Sequence, residues 1–468
     1  MAGIYIETFG CQMNEADSQE IADRATAAGY VVVAEPREAS VVVLNTCTVR
    51  DNAERRAYGR MQHFRALKRA DPSLKLVVCG CLAEQDRERI PGVAPHVDAV
   101  FGTSELARLG DALAAWRPEF RTDGKTEERL LVDSLGGKAD CIADAFSPLR
   151  AFVTVQRGCS YYCTFCIVPH VRGRFDHRPM PEILSDVEVA ASRGAREVML
   201  VGQTVNAYRD SATGADFADL LERVVQLDCV ERLTFVTSHP KDCTEKLART
   251  LGAHAKLNPR FHLPVQSGSD AVLRRMNRKY TVADYRARVA AFRKHCPGWA
   301  LTTDLIVGFP SETEEDFAQT LLLCEEMQFA QAFMFVYSPR RGTPAARWEQ
   351  IPAEVANERL HRLIEVVERG IRAYHAKKIG TVVRALVQGP SRKDRAKIAA
   401  KTMDNVTVIA PASGTEQERF VALPWIDVAV EDSRVWGCSG RVVGLAANFD
   451  AEAEKVYPRD VIDLIHVA

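Results

Sequence analysis

The chain has 468 residues, 47% hydrophobic and 26% charged, which are globular values that exclude wholesale disorder, a collagen repeat and a coiled-coil rod. Sixty-one Lys and Arg against 62 Asp and Glu give a formal charge of −1, so net charge points to neither nucleic acid nor membrane. Thirteen cysteines are too sparse for a disulfide scaffold, and an odd number cannot all pair. The length allows about three domains. Met1–Thr8 carries neither the basic nor the apolar region of a secretory signal, and no apolar run approaches the ~18 residues of a membrane span. A reducing cytoplasmic compartment and no membrane partner are therefore expected, with thiols free for metal or catalysis.

In chain order, Ile4–Phe9, Val41–Asn45 and Lys75–Val78 read as near-continuous apolar strands. Ala16–Ala28, Ala53–Ala70 and Ser104–Trp116 have helical spacing between and after them. Apolar strands alternating with helices imply a parallel sheet covered on both faces, expected over 1–117. Residues 118–144 are polar, include Gly136-Gly137 and read as a linker. Six strand–helix units then fill 145–376, with strands at Phe152–Gln156, Glu197–Gly202, Arg232–Thr237, Phe261–Val265, Leu301–Gly308 and Ala332–Tyr337. Helices are expected at Pro181–Arg193, Phe217–Leu227, Cys243–Leu251, Asp270–Met276, Val282–His295 and Thr313–Met327. Six units are two short of an eight-fold barrel, so an open (β/α)6 partial barrel is expected. After a charged helix at Glu354–Lys378 the period changes. Thr381–Val387, Thr407–Ala410, Ile426–Val430 and Arg441–Leu445 predict a small all-β, OB-like barrel over 377–444, leaving a tail at 445–468.

The cysteines divide by position. Cys159, Cys163 and Cys166 lie within eight residues after the first strand of the central segment. Such spacing cannot form a relaxed disulfide set but can wrap one metal centre. Zinc is the plainer candidate, yet a structural zinc site wants four protein ligands, and no second pair follows at the usual distance. Three cysteines on a 4Fe-4S cube instead leave one iron open to a small molecule. Cys11, Cys47 and Cys81 are 36 and 34 residues apart, about one strand–helix unit each. Each lies at or just past the end of an apolar strand, and parallel strands end along one edge, where ligands bind. Buried free cysteine is common as a small hydrophobe, but three at equivalent places in successive units favour a shared site.

CxxxCxxC at the opening of a βα barrel resembles the radical S-adenosylmethionine superfamily. Both triads, followed by a terminal β-barrel, resemble its methylthiotransferase family from Ile4 to about Val443. The stretches that carry the likeness are Thr8–Asn14, Asn45-Thr46-Cys47, Arg157–Cys166, Gly202–Asn206, Thr237–Pro240, His262–Ser269, Asp304–Pro310 and Ser391–Lys393. They look like the MiaB-like branch, which methylthiolates tRNA. A sister branch acts on threonylcarbamoyl-adenosine. Another modifies an aspartate of a ribosomal protein, but is expected to show Gly-Cys-Pro-Lys-Asn where this chain has Gly10-Cys11-Gln12-Met13-Asn14. A non-catalytic iron–sulfur or zinc RNA-binding protein would need no open iron. Three departures stand out: Cys79 two residues before Cys81, Ser311 in place of a usual glycine, and Thr204 where Asn is common.

The resemblance implies a transferase that inserts a methylthio group at C2 of N6-isopentenyladenosine beside the anticodon, consuming two S-adenosylmethionine per turnover. Cys159, Cys163 and Cys166 would hold the radical cluster, and Cys11, Cys47 and Cys81 an auxiliary cluster that carries the sulfur. Polar residues at strand ends, Gln203, Asn206, Ser238, His239, Gln266, Ser269 and Asp304, are candidate S-adenosylmethionine contacts, though capping and turn roles suit most of them equally. Phe165 would stack near the adenine or shield the cluster. The stretch 371–410 holds nine Lys and Arg against two acids. Arg392, Lys393, Arg395 and Lys397 there, with Arg172 and Arg174 after the cluster loop, are expected on phosphates. In the family this barrel is the TRAM module that grips the anticodon stem-loop. The expected partners are that tRNA, an electron donor such as flavodoxin or ferredoxin, and an iron–sulfur carrier. The chain is expected to act as a monomer.

Overall fold

The computed structural model describes residues 2–49, 51–116, 149–391, 393–412, 414, 416, 417, 420 and 423–446. The expected linker 118–144, Arg392, Cys141 and the tail beyond Ala446 lie outside them. The chain forms two compact units. The first comprises Met1–Arg178, Val201–Gln203 and Arg340–Thr343. The second comprises Pro179–Leu200, Thr204–Pro339 and Pro344–Ala468.

The first unit is built on a five-stranded sheet: β1 (Ala2–Thr8), β2 (Tyr30–Val32), β3 (Val41–Thr46), β4 (Lys75–Gly80) and β5 (Ala99–Phe101). The strands are all parallel, in the order β2-β1-β3-β4-β5. The two outer strands have three residues each, too short to announce themselves by periodicity. Helix α1 (Gln12–Ala27) and the helix Leu106–Ala115 bury Ile21, Ala25, Leu109 and Leu113 against Ile4, Ile6, Val43 and Val77. On the other face α2 (Asp51–Ala70) buries Ala57, Met61 and Phe64 against Tyr5, Val42, Leu44 and Val78. Strands apolar on both faces are the consequence of this two-sided covering. The same unit holds β6 (Arg150–Thr154) and a ribbon of β7 (Gln156–Arg157) with β8 (Asp176–His177).

The central segment has the strand–helix alternation of a partial (β/α)6 barrel. After β6 in chain order come β9 (Glu197–Val201), β10 (Arg232–Phe235), β11 (Arg260–His262), β12 (Ala300–Val307) and β13 (Gln331–Val336). Parallel pairing runs β9–β10 and β11–β12–β13. The helices between them start on side-chain caps: Asp216, Thr281 and Thr313 each form a reciprocal capping box. Such boxes satisfy two orphan backbone donors apiece and fix where each helix begins. Ser311 adopts φ +70°. A glycine takes that left-handed conformation without strain, so Ser311 bears a backbone cost that glycine would not.

The last domain is a closed barrel, β14 (Val382–Pro390), β15 (Lys397–Thr402), β16 (Thr407–Pro411), β18 (Gly437–Ala446) and β17 (Trp425–Arg434) in that order. β15 is an addition to the sequence reading. Its Lys-Ile-Ala-Ala-Lys-Thr is poor in β-branched residues, so pairing with its neighbours decides its state rather than propensity. This barrel is fastened to the central strands within the second unit by polar contacts. Trp425 Nε1 donates to Glu231 Oε2 at 2.8 Å, and Arg232, fully buried, donates to the carbonyls of Thr402 and Met403 at 2.9 and 3.2 Å. Lys378 pairs with Asp404 at 2.6 Å, and Tyr374 donates to the same carboxylate.

Candidate functional site

The strand order makes β1 and β3 neighbours, with β4 beside β3. In a doubly wound sheet the connections from such a central pair run to opposite sides and leave a crevice beyond the strand ends. All three members of the first triad lie there. Cys11 is the N-cap of α1, three residues past β1. Cys47 directly follows β3, and Cys81 opens the short helix Cys81–Gln85 after β4. Cys47 and Cys81 are buried, and Cys11 is half-buried. The close approach depends on glycine. Gly10 has φ +116°, and a Cβ there would lie 2.4 Å from Cys47 Cβ and 2.7 Å from its Sγ. Gly80, at φ +92°, admits Asn45 Oδ1 and the Thr46 carbonyl to where its Cβ would be, each at 2.5 Å.

A buried polar frame holds these ends together. Asn45 Nδ2 donates to the Asn14 carbonyl and to Ser18 Oγ, both at 2.8 Å. Asn14 Nδ2 donates to Asn45 Oδ1 at 3.2 Å and to the Thr46 carbonyl at 2.9 Å. Thr8 Oγ1 and Ser18 Oγ share a hydrogen at 2.8 Å. These bonds lock the first turns of α1 onto the ends of β1 and β3, since an unmade partner would leave a buried amide exposed to the full desolvation cost. Asn14 and Asn45 stood inside the quoted motifs, yet their supporting role has no sequence signal of its own.

Cys79 and Cys81 have different surroundings. Cys79 is in β4, fully buried among Ile6, Val43, Val77 and Leu109, and burial pushes its thiol far above the ordinary range. Cys81 has left the strand and packs with Ile167 and Val171. Burial pushes its thiol up to about 12, while the Arg172 guanidinium pulls the other way.

The second triad belongs to the same unit. Its loop is pinned at both ends by backbone: Cys159 N donates to the Gly173 carbonyl at 3.0 Å, and Cys166 N to that of Cys163 at 2.9 Å. Gly158, at φ +71°, lies where a Cβ would meet the Arg174 carbonyl at 1.9 Å. Tyr161 meets Phe175 edge to face at 5.3 Å. Cys163 is buried; Cys159, Cys166 and Phe165 are half-buried. Gln203 is also in this unit.

Arg172 is not on the expected phosphate-binding surface. Its side chain is 4% exposed and pairs with Asp17 at 2.7 Å. Nε donates to Cys81 Sγ at 3.1 Å, and Nη2 to Asn14 Oδ1 at 3.1 Å. Burial alone would favour losing its proton, but Asp17 and the neighbouring thiols outweigh that and hold the guanidinium charged. A run of arginines in sequence does not reveal which one turns inward. Arg174 is exposed.

The remaining strand-end candidates lie in the second unit. Asn206 is committed to the fold: its Nδ2 donates to the His239 carbonyl at 2.9 Å, and its Oδ1 accepts from His239 N at 2.8 Å. Burial lowers the His239 imidazole to about 2, so the ring stays neutral, with Nδ1 accepting from Lys241 N. Ser269 caps the helix Asp270–Arg275 and donates to Asp316, a structural capping role. Gln266 joins β12 through its backbone, at φ +73°, and Thr237 takes φ +67°. Non-glycine residues held left-handed at strand ends concentrate at ligand sites. Ser238 is buried, and its Oγ has no hydrogen-bond partner among the described residues. Asp304 Oδ2 stands 3.4 Å from His262 Nε2. Next to Asp304 on the paired strand, Phe333 and Phe335 are 40% and 41% exposed. The alternation Phe-Met-Phe could have flagged them, but reads equally well as core.

The donor sets suit the implied groups. Soft thiolate donors with a buried cationic N–H on one sulfur fit an iron–sulfur centre. Among the described residues no three His, Cys, Asp or Glu side chains crowd closely enough to hold a single ion. In the terminal barrel, Lys393, Arg395 and Lys397 are exposed around the β14–β15 turn. Trp436, at the β17–β18 turn, is 84% exposed. No helix among the described residues is long and apolar enough to cross a membrane.

Comparisons with known proteins bear on the family and the fold. The Radical SAM superfamily profile matches residues 153–324, and that of Uncharacterized protein family UPF0004 matches residues 3–102. Among solved structures, the radical S-adenosylmethionine methyltransferase TsrM from Kitasatospora setae, with cobalamin and a 4Fe-4S cluster bound, aligns at a TM-score of 0.54 and 15% identity. It covers 74% of this chain and 77% of its own. The cobalamin-dependent radical enzyme OxsB aligns at 0.51 and 12% identity, over 80% of this chain and 58% of its own. The fold is therefore that of a radical S-adenosylmethionine protein with an added parallel α/β domain. A tRNA-2-methylthio-N(6)-dimethylallyladenosine synthase from Moorella thermoacetica is 41% identical over 94% of this chain and 98% of its own length. The protein of the same name from Burkholderia thailandensis is 39% identical over 96% and 98%. The chain belongs to the tRNA-2-methylthio-N(6)-dimethylallyladenosine synthase family.

Proposed function

We propose that this chain inserts a methylthio group at C2 of N6-isopentenyladenosine in tRNA, with 117 or so N-terminal residues, a central segment to about 376 and a TRAM barrel to about 444 dividing the work. Two 4Fe-4S clusters are proposed, one on Cys159, Cys163 and Cys166 and one on Cys11, Cys47 and Cys81. When bound, the first supplies the electron that splits S-adenosylmethionine to the 5′-deoxyadenosyl radical, and the second supplies the sulfur. A second S-adenosylmethionine would provide the methyl group.

The residues of the chain position and shield. Three thiols per site leave one iron without a protein ligand, where a small molecule can bind. Burial of Cys47, Cys81 and Cys163 keeps water from the sulfurs, and a carbon radical survives only where water is excluded and the target C–H already placed. Ser238 Oγ and the backbones twisted at Thr237 and Gln266 offer polar groups to S-adenosylmethionine. Phe333 and Phe335 offer flat faces to a purine turned out of its stack. Lys393, Arg395 and Lys397 would neutralise phosphates while Trp436 stacks on an unpaired base. An electron donor such as flavodoxin or ferredoxin and an iron–sulfur carrier complete the proposed partners of a cytoplasmic monomer.

One observation carries this reading. Both triads sit at strand or loop ends of one compact unit, in a chain matched nearly end to end by its 39–41% identical relatives. The test is mass spectrometry of tRNA nucleosides from a deletion strain. Loss of methylthio-isopentenyladenosine with build-up of isopentenyladenosine is expected; an unchanged profile contradicts the assignment.

A further inference from the structure

We propose that Arg172 is a positioning residue for the first triad, holding Cys81 in place and setting a fixed N–H donor on the sulfur of that cluster ligand. The inference rests on the two-cluster reading above. Arg172 lies six residues beyond Cys166, so it belongs in sequence to the second triad's loop. Its side chain reaches the first triad. Nε points at Cys81 Sγ, 3.1 Å away, while Nη2 is clamped by Asn14 Oδ1 and by Asp17 Oδ2 at 2.7 Å. Asn14 and Asp17 are one turn apart on α1, the helix that Cys11 caps. One guanidinium thus touches the elements carrying Cys11 and Cys81 from the loop carrying Cys166.

The clamp is reinforced. Asp17 also accepts from Arg157 at 2.7 Å, and the other end of Arg157 reaches Glu20 at 2.9 Å. Arg157 precedes the second triad by two residues, so both flanks of that loop are tied to α1. The Val171 carbonyl accepts from Thr103 Oγ1 at 2.6 Å, fixing the backbone next to Arg172. A buried guanidinium is costly unless it is paired and hydrogen-bonded, and here its partners are Asp17, Asn14 and the Cys81 thiol. Hydrogen bonds to cysteine sulfur are one of the terms that set cluster potentials, because a donor stabilises the more electron-rich state. The planar fork can serve carboxylate and sulfur together; an ammonium is a single point and cannot.

The test uses the full-length chain, reconstituted anaerobically, as wild type, Arg172→Lys and Arg172→Met. Redox titration followed by electron paramagnetic resonance reads both clusters in one sample, and Cys81→Ala identifies the signal of the first. The midpoint of the first-triad cluster is expected to fall in both variants, more in Arg172→Met, while that of the second cluster stays. Iron at the first triad is expected to be lost to a chelator roughly 10–100-fold more readily. A wild-type midpoint in a fully loaded Arg172→Met overturns the proposal. If Arg172→Met purifies without the first cluster, Arg172→Lys decides: a lowered midpoint supports the assignment and a wild-type midpoint overturns it. A wild-type chain that loads only about four irons removes the two-cluster reading itself, a result distinct from an unmoved potential.

Discussion

The two cysteine triads share one compact unit but are made in different ways. The second is local: three thiols within eight residues, shaped by a glycine and a few backbone bonds. The first is a product of the fold, drawn from three strand ends across seventy residues and kept in register by Asn14, Ser18 and Asn45. A local loop can be damaged without unfolding its surroundings. A site assembled from separate strands is inseparable from the sheet that assembles it, so its supporting residues carry both stability and chemistry.

Substitutions near each triad sharpen that difference. The largest effect is expected from Gly10→Ala, which forces a Cβ against Cys47 at a left-handed backbone position. A loss of more than about 3 kcal/mol in urea unfolding, with iron missing from the first triad, is expected. Asn45→Ala removes two buried donated bonds and an acceptor, and should cost about 2–4 kcal/mol. If it instead altered only iron content, the claim that frame and fold are one would fail. Gly158→Ala strains the second loop itself, against the Arg174 carbonyl. About 1–3 kcal/mol is expected, with the second cluster lost and the first retained by metal analysis.

The second unit offers a milder contrast through His239, whose imidazole is held neutral by burial, at about 2 against an ordinary 6.5. The unfolded chain takes up a proton there below about 6.5 and the folded chain does not. Stability from this group is therefore complete above that pH and declines as pH falls toward 2. Between pH 7.5 and 5.5 the loss is about 1.4 kcal/mol. Urea titrations at the two pH values should show a shallower drop in His239→Gln than in the wild type; equal drops would mean the ring is not kept neutral.

Much of this was legible in the amino-acid order. The alternation of apolar strands and helices announces the parallel sheet, and the thiol spacing puts three cysteines at successive strand ends and three in one loop. β2, β5 and β15 were not legible: two are three-residue edges, and the third is Ala- and Lys-rich and made into a strand by its neighbours. Burial was the other blind spot. Arg172 and Arg174 are two residues apart and chemically identical, yet one is sealed against Cys81 and Asp17 and the other faces solvent. Only the packing of α1 against the cluster loop separates them. Likewise Cys79 and Cys81 differ by whether the strand has ended, a boundary that propensity does not locate.

That boundary makes iron content the most direct measurement. Reconstituted anaerobically, the wild-type chain is expected to bind about eight irons, Cys79→Ala about eight and Cys81→Ala about four. About four irons in Cys79→Ala with about eight in Cys81→Ala would contradict the assignment of the first triad.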